Sequence, residues 1–177
     1  MVNPAWYVRT GRLVLSPVGW QDLADLRELK GNPLVFGHML GGVRSPGRVA
    51  DELAQEIAFW PAHGVGMWLT RELTGAAIGL TGIHDRPDGR GMALRFAFRP
   101  EVRGHGLARE AAGAALRFAH YQAGLGRVVA IAQETNLASR ILLGAIGMRP
   151  CGSFDRDGGQ MLMFERVATP PSADAWR

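Results

Sequence analysis

The apolar positions of this chain recur every second residue in some segments and every third or fourth residue in others. The first spacing is typical of half-buried strands and the second of amphipathic helices, so the chain is predicted to mix both. The pattern predicts strands over 12–18, 66–71, 76–84, 92–99, 128–133, 148–154 and 160–167, and helices over 19–30, 48–60, 107–122 and 137–145. This order of strands and helices predicts a mixed α/β (α+β) fold.

Turn and capping residues mark the ends of several elements. The helix over 48–60 is predicted to end at Pro61, and Asn136 is predicted to cap the last helix. The sequence shows no internal repeat, and we predict a single domain over 1–167. The tail over 168–177 contains two adjacent prolines and is expected to pack loosely.

Composition narrows the class of protein. The chain has 177 residues, of which 47% are apolar and 20% charged, as is ordinary for a globular domain. The formal charge of +4 arises from scattered arginines, with Lys30 the only lysine, so no basic patch predicts nucleic-acid binding. The lone Cys151 excludes an internal disulfide and a multi-thiolate metal site, and it is expected to be a buried, unreactive thiol. No targeting or membrane segment is evident, which favours a cytoplasmic location.

Two glycines precede the predicted helix over 107–122, in the run RGHGLA at 103–108. Glycine lets the backbone approach a ligand closely, because it has no Cβ to stand in the way. The helix that follows begins with free N–H groups and with the positive end of its dipole. Such a turn is suited to a pyrophosphate, although an ordinary strand-to-helix turn has the same pattern.

The helix over 107–122 carries a stripe of apolar and small residues at helical spacing, which is predicted to face the core. The stripe consists of Leu107, Ala111, Ala114, Ala115, Phe118 and Ala119. The polar side chains predicted to lie mainly outside it are those of Arg109, Glu110, Arg117 and His120.

Three motifs follow one another along the chain: TGRLVL at 10–15, PEVRGHGLAREA at 100–111 and NLASRILLGAIGM at 136–148. They resemble the opening T-x-R-L-x-L, the acyl-CoA signature Arg/Gln-x-x-Gly-x-Gly/Ala and the Asn-x-x-Ser…Leu…Gly-Phe block of one family. That family is the Gcn5-related N-acetyltransferase (GNAT) superfamily, in its RimJ/RimL-like ribosomal-protein-alanine acetyltransferase branch. The resemblance covers nearly the whole chain.

The resemblance implies a GNAT fold with a mixed central sheet of about seven strands, flanked by about four helices and splayed between the fourth and fifth strands. It implies acetyl-CoA as co-substrate and no metal. The glycine turn would bind the pyrophosphate through backbone N–H groups, and the strand containing Phe98 would run beside the pantetheine arm. The coenzyme-binding residues that it implies are Phe98, Arg103, Gly104, His105, Gly106, Leu107, Ala108, Arg109, Asn136 and Ser139.

Two departures from the family pattern affect the chemistry. Family members often protonate the departing thiolate with a tyrosine, but this chain has Leu143 at that position, so Ser139 or water would take the role. The branch often has a glutamate as candidate general base where this chain has Ala93. The remaining acid–base candidates near strand ends are Glu134, His84 and Asp85.

The resemblance favours an enzyme that moves an acetyl group from acetyl-CoA to a primary amine by direct attack in a ternary complex. The acceptor stays open between a protein N-terminal amine and a small amine such as an antibiotic or a metabolite. No acidic patch suited to a polybasic acceptor is evident, and 37–46 is expected to be a mobile acceptor-side loop. The alternative is a non-catalytic acyl-CoA-binding sensor or a degenerate acetyltransferase. Neither nucleic acid nor a membrane is expected as a partner, and a homodimer is left open.

Overall fold

The computed structural model describes residues 2–168, whose strands form one sheet in the order β1-β2-β3-β4-β5-β6-β8-β7. The strands are β1 (Val8–Arg9), β2 (Leu13–Pro17), β3 (Met67–Glu72), β4 (Ala77–Asp85), β5 (Met92–Phe98), β6 (Arg127–Gln133), β7 (Arg149–Arg156) and β8 (Gly159–Val167). The helices are α1 (Leu23–Gly31), α2 (Pro33–Phe36), α3 (Pro46–His63), α4 (Leu107–Tyr121) and α5 (Leu137–Ala145). The predicted mixed α/β architecture is therefore confirmed.

Two short elements are absent from the sequence-based prediction. The strand β1 has only two residues, too few to show an alternating pattern. Because it comes first, the splayed strands are the fifth and sixth in the chain rather than the fourth and fifth. The helix α2 forms directly after the predicted end of the first helix at residue 30, since Pro33 occupies its first turn and Asn32 Oδ1 accepts a hydrogen bond from Leu34 N at 2.9 Å.

The helix α3 extends beyond its predicted limits at both ends. It begins at Pro46, with Ser45 as its cap. The prediction that Pro61 ends it is wrong, because the fixed φ of proline fits a helix and only one backbone bond is lost in the last turn. The helix ends instead at His63, where the capping residue Gly64 has a φ of +66° and donates its N–H to Trp60 O at 2.8 Å.

Neighbouring strands of the sheet pair antiparallel, except for β5 and β6. These two strands run parallel and pair only between Ala93 and Val129. From there they diverge towards their last residues, Phe98 and Gln133. The sheet therefore consists of two well-paired halves with a gap between them.

An apolar core lies on each face of the sheet. On one face α4 packs against Trp68, whose ring lies edge-on to Trp60 at 4.7 Å and to Phe118 at 5.1 Å between centroids. On the other face α1 and α3 bury Leu26 and Leu53 against β3 and β4. These two layers fix α3 above the sheet and α4 below it, on either side of the gap.

The structure overturns two predictions about polar side chains. His120 is buried rather than outside the stripe, because the chain returns over α4 and brings Leu125 O to 2.7 Å from its Nδ1. Cys151 is exposed rather than buried, because it lies on β7 at the edge of the sheet.

The first residue of the predicted tail is Ala168, whose backbone N donates to Gly126 O at 2.8 Å. The rest, 169–177, lies outside the described residues.

Within residues 2–168, no helix is both long enough and apolar enough to cross a lipid bilayer.

Candidate functional site

A cleft of about 930 Å³ opens at the gap between β5 and β6. Its walls come from α3, from the two diverging strands and from the first turns of α4 and α5. Pockets for small ligands and cofactors have volumes of about 300–1,000 Å³. The cleft is therefore large enough for an extended ligand, and the residues predicted for binding and catalysis can be located relative to it.

The glycine turn leads from β5 to the start of α4 at one end of the cleft. Gly104 and Gly106 have φ values of +80° and +74°, which glycine adopts without the strain imposed by a Cβ. The first bond within α4 runs from Glu110 N to Gly106 O at 3.0 Å, so the N–H groups that precede Glu110 are those left over at a helix start. Ala108, in this first turn, lines the cleft. The turn thus has the form expected of an anion cradle.

The N-terminal motif holds this turn in place. Glu110 Oε1 accepts hydrogen bonds from Thr10 Oγ1 at 2.6 Å and from Arg12 N at 3.0 Å, while its Oε2 accepts from Arg12 Nε at 2.7 Å. Arg12 Nη1 also donates to His105 O at 2.9 Å, within the turn itself. The T-x-R residues of the opening motif therefore act structurally, by tying the start of β2 to the turn and to the first turn of α4.

The charged and polar side chains around the turn point in different directions. Arg103 lines the cleft, and its Nη2 donates to Leu34 O at 3.1 Å. His105 is exposed, with Nδ1 2.9 Å from Arg103 O. Arg109 lies in a separate groove beside α4, together with Arg12. Among these side chains, Arg103 alone lines the cleft in the part of the chain that the structure describes.

The start of α5 faces the same cleft from the other side. Asn136 Oδ1 accepts a hydrogen bond from Ser139 N at 3.1 Å, and both side chains line the cleft. The predicted capping role of Asn136 is therefore confirmed. Leu143, at the position where the family often has a tyrosine, is 1% exposed and belongs to the core.

The strand β5 supplies the floor of the cleft. Phe96, Ala97 and Phe98 line it, as expected for a strand beside an extended ligand. Beyond Ala93 the side of β5 that faces β6 has no strand pairing among the described residues, so its backbone groups are free for another partner.

His84 lies on the acceptor side, towards α3. In the antiparallel pair of β4 and β5 it stands directly opposite Ala93, so both side chains project from the same face of the sheet. Its ring stacks on Phe59 at 4.3 Å between centroids, and His63 stacks on Phe59 at 4.0 Å. Asp85 also lines the cleft and is exposed. The structure therefore brings His84 next to the position of the missing glutamate.

Glu134 has a different environment. It is exposed and is not among the residues that line the cleft, although Gln133 and Asn136 on either side are. Its carboxylate oxygens lie 3.1 and 3.2 Å from the side-chain amide of Gln160 on β8, with the amide nitrogen oriented towards them. The structure therefore does not bring Glu134 together with His84 and Ser139.

A buried charge network joins α1 to α3 beside the cleft, and it was not predicted from the sequence. Lys30 is 2% exposed, and its Nζ lies 2.8 Å from Glu56 Oε1 and 3.0 Å from Glu52 Oε2. Arg44 Nε lies 2.7 Å from Glu52 Oε1. Burial raises the pKa of Glu52, but Lys30 and Arg44 outweigh that effect and hold the pKa below its ordinary value of 4.5. The sequence signal that could have indicated this network is the spacing of Glu52 and Glu56, which are four residues apart and therefore on the same face of a predicted helix.

Arg95 is the second residue that the sequence interpretation missed. It lies on β5, lines the cleft and is partly buried. A charged residue inside the alternating apolar run 92–98 was the signal available for it. Residues 2–168 contain no group of three or more His, Cys, Asp or Glu side chains placed to hold a metal ion.

Comparisons with known proteins agree with this geometry. The family description "acetyltransferase (GNAT) domain" matches residues 12–149. A GnaT-family acetyltransferase structure from Bordetella pertussis is 26% identical, with 91% of this chain and 99% of that chain covered and a TM-score of 0.81. An acetyltransferase from Agrobacterium tumefaciens str. C58 is 24% identical, with coverages of 95% and 96% and a TM-score of 0.81.

A more distant structure carries the coenzyme. RimL, a ribosomal L7/L12 alpha-N-protein acetyltransferase in complex with coenzyme A, is 14% identical, with coverages of 91% and 97% and a TM-score of 0.76. At this level of sequence identity, the similarity shows only that the two proteins share a fold. A comparison with curated protein sequences finds no match.

We expect Glu110→Gln to lower the free energy of unfolding by about 1 kcal/mol at neutral pH, because hydrogen bonds from Thr10 and Arg12 lose a charged acceptor at a partly exposed site. Burial raises the pKa of Glu110, but these hydrogen bonds outweigh it and hold the pKa below 4.5. The contribution is therefore complete above about pH 4.5 and is lost as the pH falls through the folded-state value. Urea unfolding at about pH 7 and about pH 3 measures the difference.

Glu101→Gln is the matched control, because Glu101 is exposed in the short turn before the glycines and pairs with no cation among the described residues. It should change stability by less than about 0.5 kcal/mol at either pH. An equal loss in both variants, or a loss from Glu110→Gln that does not shrink in acid, would contradict the anchoring role.

Proposed function

Since the chain belongs to the GNAT acetyltransferase family, we propose that it moves an acetyl group from acetyl-CoA to a primary amine by direct attack in a ternary complex. The observation that carries this proposal is the gap between β5 and β6, with the glycine turn and the start of α4 at its end. One continuous cleft connects this gap to a second compartment beneath α3. A thioester entering from one side can meet an amine entering from the other.

In the proposed complex, the pyrophosphate of the coenzyme binds the N–H groups of 103–108, where the helix dipole also favours an anion. Arg103 adds a charge-assisted contact from inside the cleft. The pantetheine arm runs along the unpaired edge of β5 at Phe96–Phe98, which can supply backbone hydrogen bonds as a neighbouring strand would. Asn136 and Ser139 face the arm from α5.

The reaction follows from this placement. The neutral amine nitrogen attacks the carbonyl carbon of the thioester, and a C–N bond forms while the C–S bond breaks. The amine loses one proton and the departing thiolate gains one, so the products are the N-acetyl amine and free coenzyme A. The oxyanion that develops needs a donor, and the unpaired N–H groups of β5 beyond Ala93 are the backbone candidates. Ser139 or water supplies the proton to the thiolate.

His84 is the base that the geometry favours for the amine. It lines the acceptor side of the cleft opposite Ala93, and histidine is the side chain that most often transfers protons in enzyme active sites. Phe59 stacks on its ring, His63 stacks on Phe59, and Asp85 follows His84 in the chain. Glu134 acting through water is the competing proposal, and its contact with Gln160 outside the cleft weighs against it.

Release of free thiol from acetyl-CoA across a panel of primary amines tests the proposal. We expect release that depends on both the amine and the protein, because the attack requires all three in one complex. The second candidate function, an acyl-CoA-binding sensor, is favoured by the absence of the tyrosine and glutamate at Leu143 and Ala93. Tight binding of acetyl-CoA without release for any amine would select the sensor.

We expect Gly106→Val to weaken acetyl-CoA binding by at least about tenfold, because a β-branched side chain strains a backbone with φ of +74° and obstructs the ligand. Gly124→Val is the control, since Gly124 follows the other end of α4 with a similar φ of +69°. Calorimetric titration should show loss of affinity in the first variant alone, and circular dichroism should show a retained fold in both. Equal affinities would refute the coenzyme assignment.

We expect His84→Gln to lower kcat by about 100-fold near pH 7 and by less near pH 10, where more of the amine is already neutral. Glu134→Gln should leave the rate within about twofold at both pH values, because its side chain lies outside the cleft. Rates of thiol release over this pH range show whether His84 or Glu134 removes the proton from the amine. A pH-dependent loss in Glu134→Gln and not in His84→Gln would transfer the role to Glu134, and a uniform loss would indicate positioning.

A further inference from the structure

The cleft carries more positive than negative charge. Within the described residues its lining includes five arginines (Arg44, Arg48, Arg86, Arg95, Arg103) and three carboxylates (Glu52, Glu56, Asp85). A primary amine arrives largely as a cation at neutral pH, so an excess of positive charge disfavours its entry. A polycationic acceptor would meet the same repulsion several times over. This excess of positive charge favours an acceptor that brings negative charge of its own.

The carboxylates on α3 do not offer an open site for the amine. Lys30 pairs with both, and Arg44 and Arg48 also pair with Glu52. The second oxygen of Glu56, Oε2, is enclosed and receives no hydrogen bond within residues 2–168. The negative charges of these carboxylates are thus already balanced by cations of their own network.

Arg95 differs from the other cations of the cleft. Arg86 is neutralised by Asp88, and Arg44 by Glu52, whereas the Arg95 guanidinium has no carboxylate within 4.0 Å and makes no side-chain hydrogen bond in the described part of the chain. Burial lowers the pKa of Arg95, and the charge of Glu56 only partly offsets this effect. An arginine stays protonated at neutral pH all the same, so a partly buried charge is left without a directly paired carboxylate. Such a charge is costly unless a ligand pairs with it.

The position of Arg95 indicates which part of a ligand it would meet. It lies two residues beyond Ala93, where β5 and β6 begin to diverge, and its side chain projects from the same face of the sheet as those of Ala93 and Ala97. Its partner on β4 is Gly82, which has no side chain. Because no side-chain hydrogen bond within residues 2–168 engages the five N–H donors of the guanidinium, they are available to a ligand in the cleft.

We propose that Arg95 binds an anionic group of the acceptor, which is therefore a small zwitterionic amine of the α-amino acid type. This inference rests on the proposed acetyl transfer and narrows its acceptor. Two residues of a strand span about 7 Å, so a carboxylate on Arg95 and a nitrogen at the start of the gap belong to groups only a few bonds apart. Arginine binds a carboxylate through two parallel hydrogen bonds, which also orients the amine. A protein N-terminal amine has no carboxylate at this distance along its backbone.

The test compares α-amino acids with their carboxamides as acceptors, by the rate of thiol release from acetyl-CoA. The amide keeps the amine and the side chain and lacks only the negative charge. Its amine is also the weaker base, so amine deprotonation alone favours the amide. We expect kcat/KM of the wild-type protein to be at least about tenfold higher for the acids that it accepts than for their amides.

Arg95 variants then assign the preference to one side chain. Arg95→Gln should reduce the acid-to-amide ratio to about threefold or less, and Arg95→Lys should restore part of it, since the charge returns without the bidentate geometry. Arg149→Gln, which removes an exposed arginine of β7 far along the sheet, should leave the ratio unchanged. If circular dichroism shows that Arg95→Gln does not fold, the acid-to-amide ratios of the wild-type protein and of Arg95→Lys test the inference instead.

Three outcomes would overturn the inference. Equal or better use of amides by the wild-type protein refutes the anion site and leaves acetyl transfer standing. An equal loss for acids and amides in the Arg95 variants would mean that Arg95 balances Glu56 or polarises the thioester instead. Absence of thiol release with every amine refutes the proposed function, and this inference with it.

Discussion

The parallel contact between β5 and β6 is the constraint on which the rest of the structure depends. Two parallel strands that share one residue pair, Ala93 with Val129, leave a row of backbone groups that the sheet does not satisfy. The two halves of the sheet stay together because α4 and its apolar core bridge them from one face. An opening in a sheet is thereby held in a rigid frame, and a ligand can occupy it without first having to separate strands.

The same frame explains the distribution of charge. At one end of the gap the partial charges of a helix start face the cleft, and they require no ionisable side chain to attract an anion. Beneath α3, in contrast, charge is supplied by side chains that are held rigidly against one another, with Lys30 between Glu52 and Glu56. A network of this kind costs desolvation energy and gives fixed geometry in return. One side of the cleft thus relies on backbone dipoles, and the other on ionised side chains.

Sequence patterns were sufficient for the elements whose signal is local. The boundaries of α5 and the cap at Asn136 agree with prediction because apolar spacing and capping depend on residues within one turn. The two-residue strand β1 and the continuation of α3 past Pro61 were missed, since tertiary packing decides both. The cleft chemistry was harder to predict. Arg95, Glu56 and Lys30 lie far apart in sequence, and their roles emerge only when α1, α3 and β5 are brought together.

The hydrogen bonds of Arg12 and Glu110 join residues that are 98 positions apart in the chain. The final form of the glycine turn is therefore coupled to the docking of the N-terminal segment. The coupling also acts in reverse, because anything that stabilises the turn stabilises the seating of β2 to the same degree. An occupied turn should consequently slow hydrogen exchange and proteolysis at the N-terminal edge of the sheet, although no ligand atom lies there.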